Sequence, residues 1–157
     1  MVHYLIGNLG HLMIIFSMVT ALVSFIAYFK AVQTSNLNWE RYADWSYYGH
    51  VVSLLGVLTV LFLIINKHYF EYHYAWNYSS KYLPIYYQIS SFWNGQEGSF
   101  LLWMFWNAIL GLVLIKTNKL WKPSVMAVMT VTQFCLTTLI LGVVIFELKI
   151  GSSPFLL

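Results

Sequence analysis

Four stretches of the chain carry apolar side chains at nearly every position, at about Leu9–Tyr28, Tyr48–Ile65, Gly98–Ile115 and Ser124–Phe146. Each meets the roughly 17 to 25 residues that an α-helix needs to cross the hydrocarbon core of a bilayer. A soluble amphipathic hairpin would keep a polar face, and runs such as Val51–Ile65 leave none. The pattern predicts an all-α fold, a polytopic membrane helix bundle with four transmembrane helices. The first stretch has no basic segment ahead of it and continues for a full membrane thickness, so it reads as a retained helix and not a cleaved signal.

The spans also carry small or polar residues at helical spacing. Ser17, Thr20 and Ser24 mark the first, Ser53, Gly56 and Thr59 the second, and Thr130, Gln133 and Thr137 the fourth. In lipid such residues let backbones approach and exchange hydrogen bonds. These stripes are therefore expected to be packing faces, among the four helices or with further ones.

Composition strengthens the membrane reading. Only 8% of residues are charged, against about 25% in a soluble domain, too few to coat a water-facing surface. The net charge of +3 comes from cations scattered around the apolar stretches, which argues against a nucleic-acid partner and for membrane topology. Lys30, Arg41, Lys116, Lys119 and Lys122 follow the first and third spans, and Lys67, Lys81 and Lys149 lie on the other side. Cations collect on the cytoplasmic side, so both termini are expected outside. The long connection of about Asn66–Glu97 then faces outward too, into the periplasm of a Gram-negative host. Cys135 stands alone in an apolar stretch, so neither a disulfide nor a zinc site is expected.

The outer connection is crowded with tyrosines and holds His68, His73, Trp76 and Pro84. Tyr and Trp favour the headgroup level, so it reads as an interfacial aromatic belt. Pro84 ahead of Ile85-Tyr86-Tyr87-Gln88-Ile89 fits the first turn of a short helix lying in the interface. Beyond it, Trp93-Asn94-Gly95-Gln96-Glu97-Gly98 forms a polar, glycine-broken turn that leads straight into the third span. Ser99, Trp103, Trp106 and Asn107 share one face of that span. With Gln96 and Glu97 above them they form either one wall of a pocket for a flat aromatic ligand, or a capped and packed helix start in which Glu97 complements the dipole. Trp93, Gln96, Glu97 and Trp103 are the candidate site residues.

Histidine geometry limits a haem reading. His11 opens the first span at its outer end, and His50 is placed where the second span begins at its inner end. The hydrocarbon core of about 30 Å would separate them, so they cannot share one iron. His11 with His68 or His73 could meet at the outer boundary, but nothing in the sequence demands it. No nucleophile–base pair, phosphate-binding glycine loop or metal-ligand spacing is present, so no catalytic or metal-binding residue is assigned.

Three segments resemble the N-terminal part of the CcmF-type cytochrome c haem lyases, in the wider haem-handling family that includes CcsA. They are Leu9-Gly10-His11, Leu83-Pro84-Ile85-Tyr86-Tyr87 followed by Phe92–Trp103, and Gly151-Ser152-Ser153-Pro154-Phe155. Their order and spacing agree with that family. Asn94 and Gln96 stand where its "GGHEG" run more often has glycine and histidine, and its tryptophan-rich external haem motif is absent from this chain.

The resemblance implies a part in cytochrome c maturation, in which haem from a covalent haem chaperone is attached to apocytochrome c on the outer face. It implies that a b-type haem is held by parts of the protein beyond this chain, and that Trp93, Gln96, Glu97 and Trp103 lie around the haem site. The chain would be an N-terminal fragment or split subunit in a bacterial inner membrane. It would scaffold the remaining lyase helices or subunits. Two other readings are a haem- or quinone-binding membrane subunit of a respiratory complex and a cofactor-free helix bundle.

Overall fold

The computed structural model describes residues 4–80, 84–145 and 148–156. Of the positions singled out above, Lys81, Leu83 and Phe146 lie outside these. Four helices are long and apolar enough to cross a membrane: α1 (Tyr4–Thr34), α2 (Leu37–Asn66), α5 (Gly95–Thr117) and α6 (Lys122–Leu141). Two short helices, α3 (His73–Tyr78) and α4 (Ile85–Ser91), lie between the second and third spans. A two-stranded antiparallel hairpin, β1 (Val143–Ile145) and β2 (Leu148–Ile150), follows the last span.

The spans differ from the expected ones chiefly at their ends. α1 and α2 contain 31 and 30 residues, about 45 Å each, which spans the bilayer together with its headgroup layers. The polar segment expected to connect them is helical instead. Ser35, at φ 50°, turns the chain, and Asn36 caps α2 by accepting the Asn38 N–H at 2.9 Å. Glu40 and Asp44 then fall one turn apart and share Lys122 at the start of α6, which supports the extra helix. At the other extreme α6 stops at Leu141, short of the expected Phe146. Gly142 takes a left-handed cap at φ 72°, and the β-branched Val143 and Val144 that follow suit a strand.

α1 presents Gly7, Gly10, Ser17, Ala21 and Ser24 to the bundle, at steps of three and four once Ile14 is counted between Gly10 and Ser17. Gly7 and Gly10 sit against Tyr72 and Phe155, whereas Ser17 and Ser24 bring α1 close to α2, where Ser24 donates to the Ala43 carbonyl at 3.0 Å. Ile14, Leu54, Leu61, Ile64, Leu101 and Met104 fill the core between α1, α2 and α5. The expected stripes are buried at Ser17, Ser24, Ser53, Thr130, Gln133 and Thr137, whereas Thr59 is exposed.

The helices alternate in direction. The starts of α1 and α5 and the ends of α2 and α6 therefore meet at one end, which we call the corner end. Lys122, Glu40 and Asp44 mark the other.

Candidate functional site

The corner end is built around three consecutive residues, Tyr72 to Tyr74, at and just before the start of α3. Tyr72, immediately before α3, accepts the Gly7 N–H of α1 on its hydroxyl at 2.8 Å. The His73 N–H donates to the Leu156 carbonyl at 2.9 Å, tying down the segment after the hairpin. Tyr74 sends its hydroxyl into the α4–α5 turn, 2.8 Å from the Asn94 carbonyl and 2.9 Å from that of Phe92, with one hydrogen to share between them. Tyr72, Tyr74 and Ala75 are buried, so this part of the loop is a clasp and not only an aromatic belt. Trp76, Tyr86 and Tyr87 are exposed, as the rings of an interfacial belt have to be.

Glycine makes the clasp possible. A Cβ on Gly98 would lie 2.5 Å from the Tyr74 hydroxyl and 2.8 Å from the Phe92 carbonyl oxygen. One on Gly10 would lie 2.6 Å from the Phe155 ring. The three segments that carry the family resemblance, far apart in the chain, thus meet at one end of the bundle.

Burial raises the Tyr74 hydroxyl above its ordinary value, with the Glu97 charge and Tyr78 adding to the effect. A phenol whose folded-state pKa is raised contributes stability below its unfolded value, near 10, and loses it as pH rises through the folded one. Corner stability should therefore hold through neutral pH and fall above about pH 10. Tyr74→Phe should cost about 1 kcal/mol at neutral pH and flatten that alkaline decline. Thermal unfolding of both proteins across pH 7–11 checks this, and parallel curves would remove Tyr74 from the explanation.

The predicted site residues do not form one cluster. Trp93 is half-buried, edge-on to Phe92 with ring centroids 4.7 Å apart, and lines an apolar groove of about 360 Å³ with Leu55, Leu58, Phe62 and Ile89. Glu97 sits in the first turn of α5, where a carboxylate favours the dipole. Gln96 is exposed, and Ser99 donates back to the Gly95 carbonyl instead of capping. Trp103 is 62% exposed and Trp106 57%, so their face turns away from the bundle and builds no pocket with Gln96 and Glu97.

The histidines are also separate. His11 is exposed and borders a recess of about 80 Å³ with Tyr4, Asn8, Tyr72, Ser153 and Phe155. His68 stacks on Phe70 at 5.7 Å, and His73 is exposed beside Asn77.

His50 departs from expectation. Because α2 starts at Leu37, His50 lies near the middle of its span, fully buried, with Nδ1 3.0 Å from both the Ser17 hydroxyl and carbonyl oxygens. Its axial offset from His11 is thus about 9 Å, the rise between His11 and Ser17 on α1, and not a whole hydrocarbon thickness. Gln133 donates to the Met104 carbonyl at 2.9 Å, so this polar interior joins α5 to α6 as Ser17 and His50 join α1 to α2.

Among the described residues no three His, Cys, Asp or Glu side chains converge on a metal position. The groove beside Trp93 is lined by no histidine, cysteine or methionine, so it supplies no axial donor to a haem iron. An apolar wall is all that this chain's groove provides toward such a group.

No protein-family model matches the chain. It is 29% identical over 115 residues to the cytochrome c-type biogenesis protein CcmF of Haemophilus influenzae, covering 73% of this chain and 18% of that protein. It is 32% identical over 102 residues to CcmF of Pseudomonas aeruginosa, covering 63% and 15%. A solved structure of cytochrome c heme lyase CcmF shares the fold across 99% of this chain and 25% of its own, with a TM-score of 0.82 at 21% identity. The chain is similar to part of CcmF in sequence and in fold. It spans less than a fifth of the length of these two curated relatives. The two positions that depart from the CcmF-type glycine-rich run, Asn94 and Gln96, are both exposed, whereas Gly98 is pressed against Tyr74. The departures therefore fall where the corner tolerates a side chain.

Proposed function

We propose that this chain is the membrane scaffold of a CcmF-like haem lyase in a bacterial inner membrane, with its corner end and both termini on the periplasmic side. In this reading it braces the helices that hold a b-type haem, and it contributes no ligand of its own. The clasped corner sets Trp93 and Glu97 beneath the place where haem passes from its chaperone to apocytochrome c. The sequence relationship to CcmF carries the proposal, because it extends over 73% of the chain. The convergence of Gly10, Gly98 and Phe155 on one end of the bundle supports it. The role of this chain's residues is to hold shape: the clasp fixes the α4–α5 turn, and the apolar groove keeps water from its side. The same relationship favours this role over a respiratory subunit or a cofactor-free bundle.

The test replaces Trp93, Glu97 and Trp103 together by alanine in the assembled lyase. Mature cytochrome c should drop several-fold, with the membrane level of the chain unchanged. Unchanged cytochrome c would exclude these residues from the function. Cysteine labelling at Gln96, with Cys135 replaced by serine, tests the orientation, and reaction only from the cytosolic side would defeat an extracytoplasmic role.

A further inference from the structure

α5 has two faces of the same spacing. Leu101, Met104, Ala108, Gly111 and Ile115 are buried against the bundle. Trp103, Trp106, Leu110 and Val113 are exposed on the opposite side, each by half or more. Steps of three and four on that outer side form the ridge that a neighbouring helix packs into. α5 is also the least buried of the four spans.

The depth of the tryptophans makes a lipid-facing role costly. Trp106 lies 11 residues beyond Gly95 in a helix of 23, about 16 Å along it and therefore close to mid-bilayer. Tryptophan favours the headgroup level, where its indole N–H finds water or lipid acceptors. Neither Trp103 nor Trp106 has a hydrogen-bond partner among the described residues. Acyl chains offer no acceptor, and an unsatisfied polar group in hydrocarbon is penalised.

We propose that the Trp103–Trp106–Leu110–Val113 face is a seam for a further transmembrane helix. That helix places a hydroxyl or a freed backbone carbonyl opposite the Trp106 indole N–H. It is apolar elsewhere and small where the two indoles lie, since bulky rings on one side of a seam require small residues on the other. The solved CcmF fold, of which this chain matches 25%, has ample polypeptide to supply such a helix. The inference rests on the reading of the chain as part of a larger CcmF-like assembly.

A photoreactive benzoylphenylalanine at Leu110 or Val113, irradiated in native membranes holding the assembled lyase, should form adducts with an apolar helical polypeptide identified by mass spectrometry. Adducts with lipid alone, or with a porphyrin or another small ring, overturn the seam. Trp106→Phe keeps the ring and removes the N–H. It should lower co-purification of the crosslinked polypeptide about threefold, the worth of one interhelical hydrogen bond. Co-purification equal to that of the unmodified protein overturns the acceptor. Cytochrome c yield in the same cells separates the two proposals. Lipid-only adducts with a yield that depends on the chain sink the seam alone; polypeptide adducts with a yield indifferent to the chain sink the proposed function alone.

Discussion

Gly98→Val should lower the unfolding free energy by about 3 kcal/mol, at the upper end of what overpacking costs. The added Cβ meets more than the mobile tip of a side chain. It would stand 2.5 Å from the Tyr74 hydroxyl, 2.8 Å from the Phe92 carbonyl oxygen and 2.9 Å from the Trp93 carbonyl carbon. Tyr74 can swing aside, but the other two atoms are backbone of the α4–α5 turn, so relief requires α5 to move away from that turn. Such movement would break the Tyr74 contacts with the Asn94 and Phe92 carbonyls as well. Gly98→Val combined with Tyr74→Phe should therefore recover only part of the loss. Gln96→Ala, at an exposed position two residues away, should stay within about 0.5 kcal/mol of the unmodified protein. Reversible unfolding in mixed micelles gives all four values. Equal stability of Gly98→Val and Gln96→Ala would show that the clasp does not hold the corner.

The four spans were legible because an uninterrupted apolar run has one reading in lipid. Their ends were not, for reasons that differ at each. The α2 start was hidden because Glu40 and Asp44 look like loop residues until Lys122, 78 positions beyond Asp44, is known to sit between them. The α6 end was hidden because a β-branched run after Gly142 is apolar whether helical or extended. That first error carried His50 to the wrong depth. The glycine-rich turn was singled out from the sequence, but the side chain that packs into it was not. Tyr74 is one of many tyrosines in its loop, and nothing local marks it as the one that enters the turn. Composition alone cannot separate a buried clasp residue such as Tyr74 from a belt residue such as Tyr86. The face of Trp103 and Trp106 was read correctly as one face, but its direction is a tertiary property. Helical spacing gives the stripe, and only the opposite stripe of Leu101, Met104 and Ala108 fixes which one turns inward.

At the far end of the bundle, Lys122→Met should cost about 3 kcal/mol, the lower end of the range for removing one partner of a buried ion pair. The Lys122 ammonium lies 2.6 Å from Glu40 Oε1 and 2.8 Å from Asp44 Oδ2, and its side chain is 10% exposed. Tyr28 donates to the other Asp44 oxygen at 2.6 Å, so α1, α2 and α6 converge on one carboxylate. Methionine fills a similar volume but leaves two half-buried carboxylates one turn apart with no cation between them. They then repel each other where water screens them poorly. If charge is the cause, Lys122→Met together with Glu40→Gln and Asp44→Asn should regain most of the loss, because replacing a whole ionic group costs far less than stripping one partner from it. If Lys122 acts only through its packed stem, the triple variant should be no better than the single one, and that result would discard the electrostatic account. Raising salt distinguishes the two further. A fully exposed pair would weaken within a Debye length of about 8 Å at physiological ionic strength, whereas this one should hold its stability because protein surrounds most of it.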